Sequence, residues 1–121
     1  MGLTRVKAKV QNPFEPKRCS TLTFLVDSGA VYSMIPAKRL QKLGIHPTGQ
    51  RTFFLANGQP ATRQTGEARI TFAGQSATCV VIFGEKGDNT LLGVTTLENL
   101  GLIFDPMRQK MMPLPMYLAD M

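Results

Sequence analysis

The sequence contains few of the residues that build metal sites and disulfide frameworks. Its 121 residues include two cysteines, Cys19 and Cys79, and a single histidine, His46. Two cysteines so far apart do not make a disulfide framework, and with one histidine they do not provide the ligands of a zinc site. We therefore expect no metal ion and no other cofactor.

Long apolar runs are also missing. No stretch is long enough to span a bilayer, and residues 1–7 lack the apolar segment of a secretory signal. The chain contains no internal repeat, low-complexity segment or linker, and 121 residues suit one domain. We expect a single domain over residues 1–121, a cytoplasmic location and no membrane partner.

Acidic residues are outnumbered by basic ones. Eight Asp and Glu stand against 14 Lys and Arg, which gives a net charge of +6. A basic β-barrel that binds nucleic acid is therefore one hypothesis. The basic residues are spread along the chain, however, and no basic block is interleaved with aromatic residues. A solvated basic surface accounts better for this spread, so we expect no nucleic-acid partner.

The apolar pattern predicts mostly short strands. Between Thr4 and Gln11, apolar and basic side chains alternate, as in a strand with one buried face. The pair Asn57-Gly58 lies between two strand-like runs and is a strong signal for a hairpin. The predicted strands cover residues 4–11, 21–26, 51–55, 67–72, 77–83, 91–93 and 102–104.

Two short helices are predicted over residues 36–44 and 95–101. The first has Pro36 in its first turn and Gly44 at its end, which is the usual asymmetry of helix termini. Residues 111–118 contain two prolines, which favour an edge or extended segment over a helix. The fold class is therefore mainly β, a small closed or partly closed barrel with two short helices.

One of the eight acidic residues has an unusual setting. Asp27 directly follows the apolar run Phe24-Leu25-Val26 and precedes Ser28-Gly29. Asp is disfavoured in strands, and a buried carboxylate is costly unless something compensates it. Asp, Ser and Gly also favour turns, so a plain turn is the simpler interpretation of these three residues alone. The alternative is a site in which an identical carboxylate lies across a two-fold axis.

The segment from Phe24 to Pro36 closely resembles the active-site loop of retropepsin-like aspartic proteases. Their motif is apolar-apolar-Asp-(Thr/Ser)-Gly-Ala, and the similarity extends from about Thr21 to Leu114. It includes a serine where these enzymes often keep a hydroxyl, a short helix, a second apolar-apolar-Gly motif and an Asp-Pro turn like that of small prokaryotic members. These features lie at Ser33, 35–40, Leu91-Leu92-Gly93 and Asp105-Pro106.

The resemblance implies a homodimeric aspartic endopeptidase with one barrel lobe per chain. Only Asp27 is followed by Ser-Gly, and the chain is too short for two lobes, so the second carboxylate would come from another copy. In the family, the two carboxylates share one proton and activate a water molecule. Ser28 would brace the neighbouring subunit's loop, and Gly29 would allow two backbones to approach closely.

The resemblance also implies a substrate cleft that contributes little charge and accepts a peptide or protein with bulky apolar residues. Residues 56–60 would form a mobile flap tip, although a plain surface hairpin is an alternative. Residues 111–118 are a candidate for the dimer interface. The expected substrate-binding residues are Ala30, Val31, Tyr32, Leu55, Ala56, Asn57, Gly58, Leu92 and Val94.

The chain departs from the retroviral pattern at two positions. Retroviral members carry an Asp two residues after the active-site Gly and an Arg after the second motif's Gly, and these form an ion pair. Here the matching residues are Val31 and Val94, which suggests that an apolar contact replaces the pair. A second hypothesis keeps the fold without catalysis, as a module that binds extended peptides or dimerises.

Overall fold

The computed structural model describes residues 4–118, which form nine strands and two short helices. The outermost residues of the predicted domain, 1–3 and 119–121, lie outside this range. The mainly β fold class with two short helices is confirmed. In chain order the elements are β1 (Arg5–Gln11), β2 (Cys19–Val26), β3 (Ser33–Pro36), α1 (Ala37–Lys42), β4 (Gly49–Phe54), β5 (Pro60–Phe72), β6 (Gln75–Gly84), β7 (Leu91–Leu92), α2 (Val94–Asn99), β8 (Leu102–Asp105) and β9 (Lys110–Pro113).

Strands β1 and β2 form an antiparallel pair that leads the chain to Asp27. In β1 the apolar Ala8 and Val10 are buried and the intervening lysines are exposed, as the alternating sequence predicts. In β2 the same period buries Leu22, Phe24 and Val26. Because the last of these residues ends the strand, Asp27 emerges at the edge of the core.

Seven strands form one sheet in the order β1-β2-β7-β3-β6-β5-β4. Strand β1 also pairs with β5, where Lys9 to Gln11 lie opposite Arg69 to Thr71. This second pairing curls the sheet back on itself and leaves β4 outside the closure, at the sheet edge. The barrel is therefore partly closed.

The interior of this barrel is apolar. Phe24, Ile35, Leu40, Leu92 and Leu97 are almost completely buried and belong to one core cluster. Helix α1 contributes Leu40 to the core and directs basic residues to solvent. It begins at Ala37, since the preceding proline ends β3, a strand too short for its period to be recognised in the sequence.

The carboxyl-terminal part of the chain lies on a separate sheet. Strands β8 and β9 pair antiparallel with each other, and residues 114–118 follow without regular structure. Several apolar side chains here are exposed, among them Ile103, Met112 and Met116. The predicted extended segment over 111–118 is therefore confirmed in form, and its role at a dimer interface stays a prediction. No helix within residues 4–118 is long and apolar enough to cross a membrane.

Candidate active site

Asp27 lies on a tight turn whose own backbone orients the carboxylate. Its N–H donates to the carbonyl of Leu92 (3.1 Å), and its carbonyl accepts a hydrogen bond from the N–H of Ala30 (3.1 Å). The side-chain Oδ1 accepts a hydrogen bond from the N–H of Gly29 (2.9 Å). The turn thus holds the carboxylate in one orientation from both its main chain and its side chain.

The Asp27 carboxylate belongs to no ion pair among the described residues. The side chain is half-buried, and no Lys, Arg or His in residues 4–118 forms an ion pair with it. A Cβ on Gly29 would lie 3.2 Å from Asp27 Oδ1, which is a tight contact. Glycine at this position therefore lets its N–H approach the carboxylate closely.

The second predicted motif packs directly against the active-site loop. A Cβ on Gly93 would lie 2.5 Å from the carbonyl carbon of Tyr32 and 3.0 Å from the carbonyl oxygen of Ala30. The N–H of Gly93 donates to Ser33 Oγ (3.0 Å), and this hydroxyl also hydrogen-bonds Thr96 Oγ1 (2.6 Å). Both hydroxyls are completely buried, so they join the loop to helix α2 inside the core.

Backbone hydrogen bonds join the segments around Val31 and Val94, the two positions at which the retroviral ion pair is missing. The N–H of Val94 donates to the carbonyl of Ala30 (2.8 Å), and the N–H of Thr95 donates to the carbonyl of Val31 (3.0 Å). These bonds hold helix α2 against the loop without charged side chains. The apolar contact between the two valines stays a prediction.

A cavity of about 290 Å³ lies beside the active-site turn. Its walls are mostly apolar, as expected, and come from the loop after Asp27, from β4 and from β5. The expected residues that line it are Gly29, Ala30, Val31, Tyr32 and Leu55. The same cavity is also lined by residues that were not predicted from the sequence, namely Met34, Phe53, Phe54, Ala61, Arg63, Ile82, Asp88 and Leu91.

The structure separates the other expected substrate-binding residues from this cavity. Leu92 is wrong as a substrate contact, because its side chain is 0% exposed and packs in the core. Val94 lines a different cavity, together with Ser28. Residues 56–58 are exposed at the end of a hairpin and do not line the 290 Å³ cavity.

Strands β4 and β5 form the hairpin that was predicted from Asn57-Gly58. In its turn, the N–H of Leu55 donates to the carbonyl of Gln59 (2.8 Å), and the N–H of Gly58 donates to the carbonyl of Leu55 (2.8 Å). Gly58 has φ of 85°, a conformation that glycine adopts without strain. Leu55 lines the cavity, so the end of β4 forms part of its wall. The mobility of the tip stays a prediction.

An ion pair lies in the otherwise apolar wall. Arg63 Nε donates to Asp88 Oδ2 (2.9 Å) and Arg63 Nη2 donates to Asp88 Oδ1 (3.3 Å). The two side chains are 17% and 16% exposed, and Glu85 lies 3.5 Å from the same guanidinium. The hydrogen bond from Arg63 lowers the pKa of Asp88, and that same bond raises the pKa of Arg63. The partners are 25 residues apart, so neither the strand period nor a sequence motif predicts this ion pair.

A second arginine contacts another residue of the cavity wall, Tyr32. Arg51 Nη1 donates to the hydroxyl of Tyr32, and its guanidinium lies 5.1 Å from the centre of the Tyr32 ring. The guanidinium therefore lies over the face of the Tyr32 ring, and Tyr32 also lines the cavity. A cation over an aromatic face is favourable by about 0.5–1 kcal/mol at an exposed site.

We expect the Asp88–Arg63 pair to make the free energy of unfolding depend on pH in the acidic range. Because the folded-state pKa of Asp88 is lowered, its contribution is present above about pH 4 and is lost as the pH falls through the lowered value. Wild-type protein should unfold with a free energy about 1 kcal/mol higher than Asp88→Asn near pH 6, and the difference should shrink steadily as the pH falls below about 4. Urea denaturation at several pH values measures this gap, and a gap that stays constant would contradict the assignment.

A further cavity, of about 250 Å³, lies on the other side of the turn. Ser28 and Val94 line it together with Ile103, Phe104 and Leu114 from the carboxyl-terminal part of the chain. Ser28 is exposed, whereas Phe104 and Leu114 are half-buried. The active-site turn therefore has an apolar surface on each side.

Comparisons with known proteins agree with this geometry. Residues 19–99 match the sequence model of a family described as gag-polyprotein putative aspartyl protease. Among solved structures, the fold is similar to a retropepsin-like aspartic protease from Rickettsia conorii, with a TM-score of 0.61 and 24% sequence identity. That alignment covers 86% of this chain and 77% of the other. No curated protein matches the chain.

Proposed function

The chain belongs to the retropepsin-like family of gag-polyprotein aspartyl proteases, and from this premise we propose that it is a homodimeric aspartic endopeptidase. The observation that carries the proposal is the Asp27 carboxylate, which its own turn orients and no cation within residues 4–118 neutralises. A second copy of the same turn across a two-fold axis would bring a second Asp27 beside the first, so that the two carboxylates can share a proton.

Two such carboxylates at close range share one proton and hold one water molecule between them. The ionised Asp27 takes a proton from this water, whose oxygen attacks the carbonyl carbon of the scissile peptide bond. The protonated Asp27 of the other subunit donates to the carbonyl oxygen. The first Asp27 then gives the proton that it took from water to the leaving nitrogen as the C–N bond breaks. The Asp27 of the other subunit takes a proton back from a hydroxyl of the tetrahedral intermediate, which leaves one carboxylic acid product, one amine product and one shared proton on the pair. The Gly29 N–H holds Asp27 Oδ1 and so keeps the carboxylate oriented throughout.

The 290 Å³ cavity supports a preference for a bulky apolar residue beside the scissile bond. Phe53, Phe54 and Leu55 line it from the hairpin, and Ala30 and Val31 line it from the active-site loop. Burying an apolar side chain there stabilises the complex by about 25 cal/mol for each Å² removed from water. The hairpin covers the bound peptide and excludes water from the reaction.

The partner subunit docks on the other side of the turn in this proposal. Ser28 is exposed there, where its hydroxyl is free to brace the loop of the second copy. The 250 Å³ cavity and the exposed Met112 and Met116 provide apolar surface for the same interface. Flexible methionine side chains suit such a contact.

A mixing experiment tests whether each subunit donates one carboxylate. A fixed amount of wild-type protein is equilibrated with an equal amount of Asp27→Asn, and cleavage of an unfolded protein is measured. If subunits exchange at random, about half of the wild-type chains enter mixed dimers, so activity should fall to about half. Further Asp27→Asn should lower it further.

In the control, the added protein is the double variant Asp27→Asn with Met112→Asp. The new charge at the interface should keep this variant out of mixed dimers, so the activity of the wild-type protein should stay unchanged. Full wild-type activity at every ratio of Asp27→Asn would contradict the two-subunit mechanism. So would a wild-type protein that remains monomeric and still cleaves.

One observation favours a second candidate, a peptide-binding module without catalysis. Asp27 itself does not line the 290 Å³ cavity, which a single chain completes. This module would bind apolar peptides with unchanged affinity after Asp27→Asn. Cleavage by the wild-type protein that disappears in Asp27→Asn excludes it.

A further inference from the structure

Two arginines lie directly opposite each other on the hairpin. In the β4–β5 ladder Arg51 pairs with Arg63, so both side chains emerge on the same face. Like charges in such a pair are destabilising unless each has another partner. Here the partners are Tyr32 for Arg51 and Asp88 for Arg63.

These partners belong to two different segments that line the 290 Å³ cavity. Tyr32 follows the active-site turn, whereas Asp88 lies in the loop between β6 and β7. The two arginines therefore connect one hairpin to two separate segments of the barrel. Residues 32 and 88 are themselves remote in sequence.

The barrel backbone does not hold this part of the hairpin. The β5–β6 ladder ends at Thr65 opposite Ile82, so β5 before Thr65 pairs only with β4, the edge strand. Within the part of the chain that the structure describes, the side-chain hydrogen bonds from residues 49–64 to the barrel come from Arg51 and Arg63. The remaining side-chain bonds of this segment stay inside the hairpin.

We propose that Arg51 and Arg63 are positioning residues. They hold the hairpin over the cavity by binding two separate segments of the cavity wall, at Tyr32 and Asp88. We call this pair the arginine clamp. The inference rests on the proposed function in one respect, because covering the cavity matters for catalysis only if a peptide is cleaved there.

The two halves of the arginine clamp differ in strength. Arg63 makes a bidentate pair with a carboxylate, and both side chains are less than one-fifth exposed. Arg51 is exposed and makes a single hydrogen bond and a ring contact to a neutral side chain. Arg63 is therefore the stronger of the two anchors, and Arg51, at the same level of the ladder, is the weaker one.

Amide hydrogen exchange followed by mass spectrometry tests the arginine clamp in Asp27→Asn protein, where no substrate or cleavage is needed. We expect Arg51→Met to raise the exchange rate of residues 49–62 about two- to five-fold, and Arg63→Met about ten-fold. Exchange in β1 and β6 should change much less, because those strands are held by the sheet.

Gln64→Met is the matched control, since it introduces the same residue on the same strand with its side chain on the opposite face. Asp88→Asn should reproduce Arg63→Met from the other partner, and Arg63→Lys should restore part of the protection. If Arg63→Met does not fold, hydrogen exchange in Asp88→Asn tests the same ion pair.

The arginine clamp is wrong if the arginine variants exchange like Gln64→Met, or if exchange rises equally in every strand. Neither result depends on peptidase activity. Conversely, a wild-type protein that cleaves no peptide would contradict the proposed function and leave the hairpin result standing.

Discussion

Replacing Asp27 by Asn is expected to reduce peptide-bond hydrolysis by at least about 10³-fold, because a positioned acid or base contributes about 10²–10⁴-fold and the dimer loses both. Asn has nearly the shape of Asp and can still accept the hydrogen bond from the Gly29 N–H. It cannot take a proton from water at neutral pH. The measurement is the rate of cleavage of an unfolded protein or a peptide library, with dimerisation and folding checked on the same samples.

Glu67→Gln is the matched control, since it also replaces a carboxylate by an amide, at an exposed position on β5 away from the turn. It should retain wild-type activity. Activity of Asp27→Asn above about a tenth of wild type would contradict the catalytic role, since a general base contributes more than this. Loss of the dimer in Asp27→Asn would instead point to a structural role of the carboxylate.

Replacing Gly93 by Ala is expected to destabilise the fold and displace the active-site loop. The new Cβ would lie 2.5 Å from the carbonyl carbon and 2.6 Å from the carbonyl oxygen of Tyr32. These are backbone atoms, which cannot rotate away as a flexible side chain can. Gly93 has φ of −91° and ψ of 170°, which alanine adopts readily, so the effect comes from the collision alone. Overpacking of this kind costs about 1–3 kcal/mol in the free energy of unfolding.

Gly49→Ala provides the comparison, because its Cβ would meet only Thr65 Oγ1, at 3.4 Å. Its free energy of unfolding should change by less than about 0.5 kcal/mol. Urea denaturation of both variants measures the difference, and cleavage assays should show a loss confined to Gly93→Ala. If the two variants have equal free energies of unfolding, the loop and the segment at Gly93 can move apart without cost. The close packing of the two motifs would then contribute nothing to stability.

The site was predictable from the sequence where its residues are neighbours along the chain. Asp27, Ser28 and Gly29 form a contiguous turn after an alternating strand, and the structure has the turn at that place. Leu91-Leu92-Gly93 was also recognisable as a motif, and Gly93 packs against the loop. What failed was the side-chain direction of Leu92, because a motif identifies a segment without specifying which face it buries.

Residues that meet across the barrel were not predictable in the same way. Arg51 and Arg63 were predicted only as two of the scattered basic residues, and Asp88 lies between two predicted strands. Their contacts depend on how β5 bends away from β6 and on where the loop after β6 lies. Neither feature is a property of any short window of residues.

By itself, the sequence determined the mainly β class, the hairpin, the two helices and the active-site turn. Each depends on local hydrophobic period, on glycine and proline conformations or on a contiguous motif. Only the tertiary structure decided the closure of β1 on β5, the burial of Leu92 and the attachment of Arg51 and Arg63 to two separate segments of the barrel. The physical reason is that these contacts join side chains brought together by strand register and sheet curvature, which the whole core sets at once.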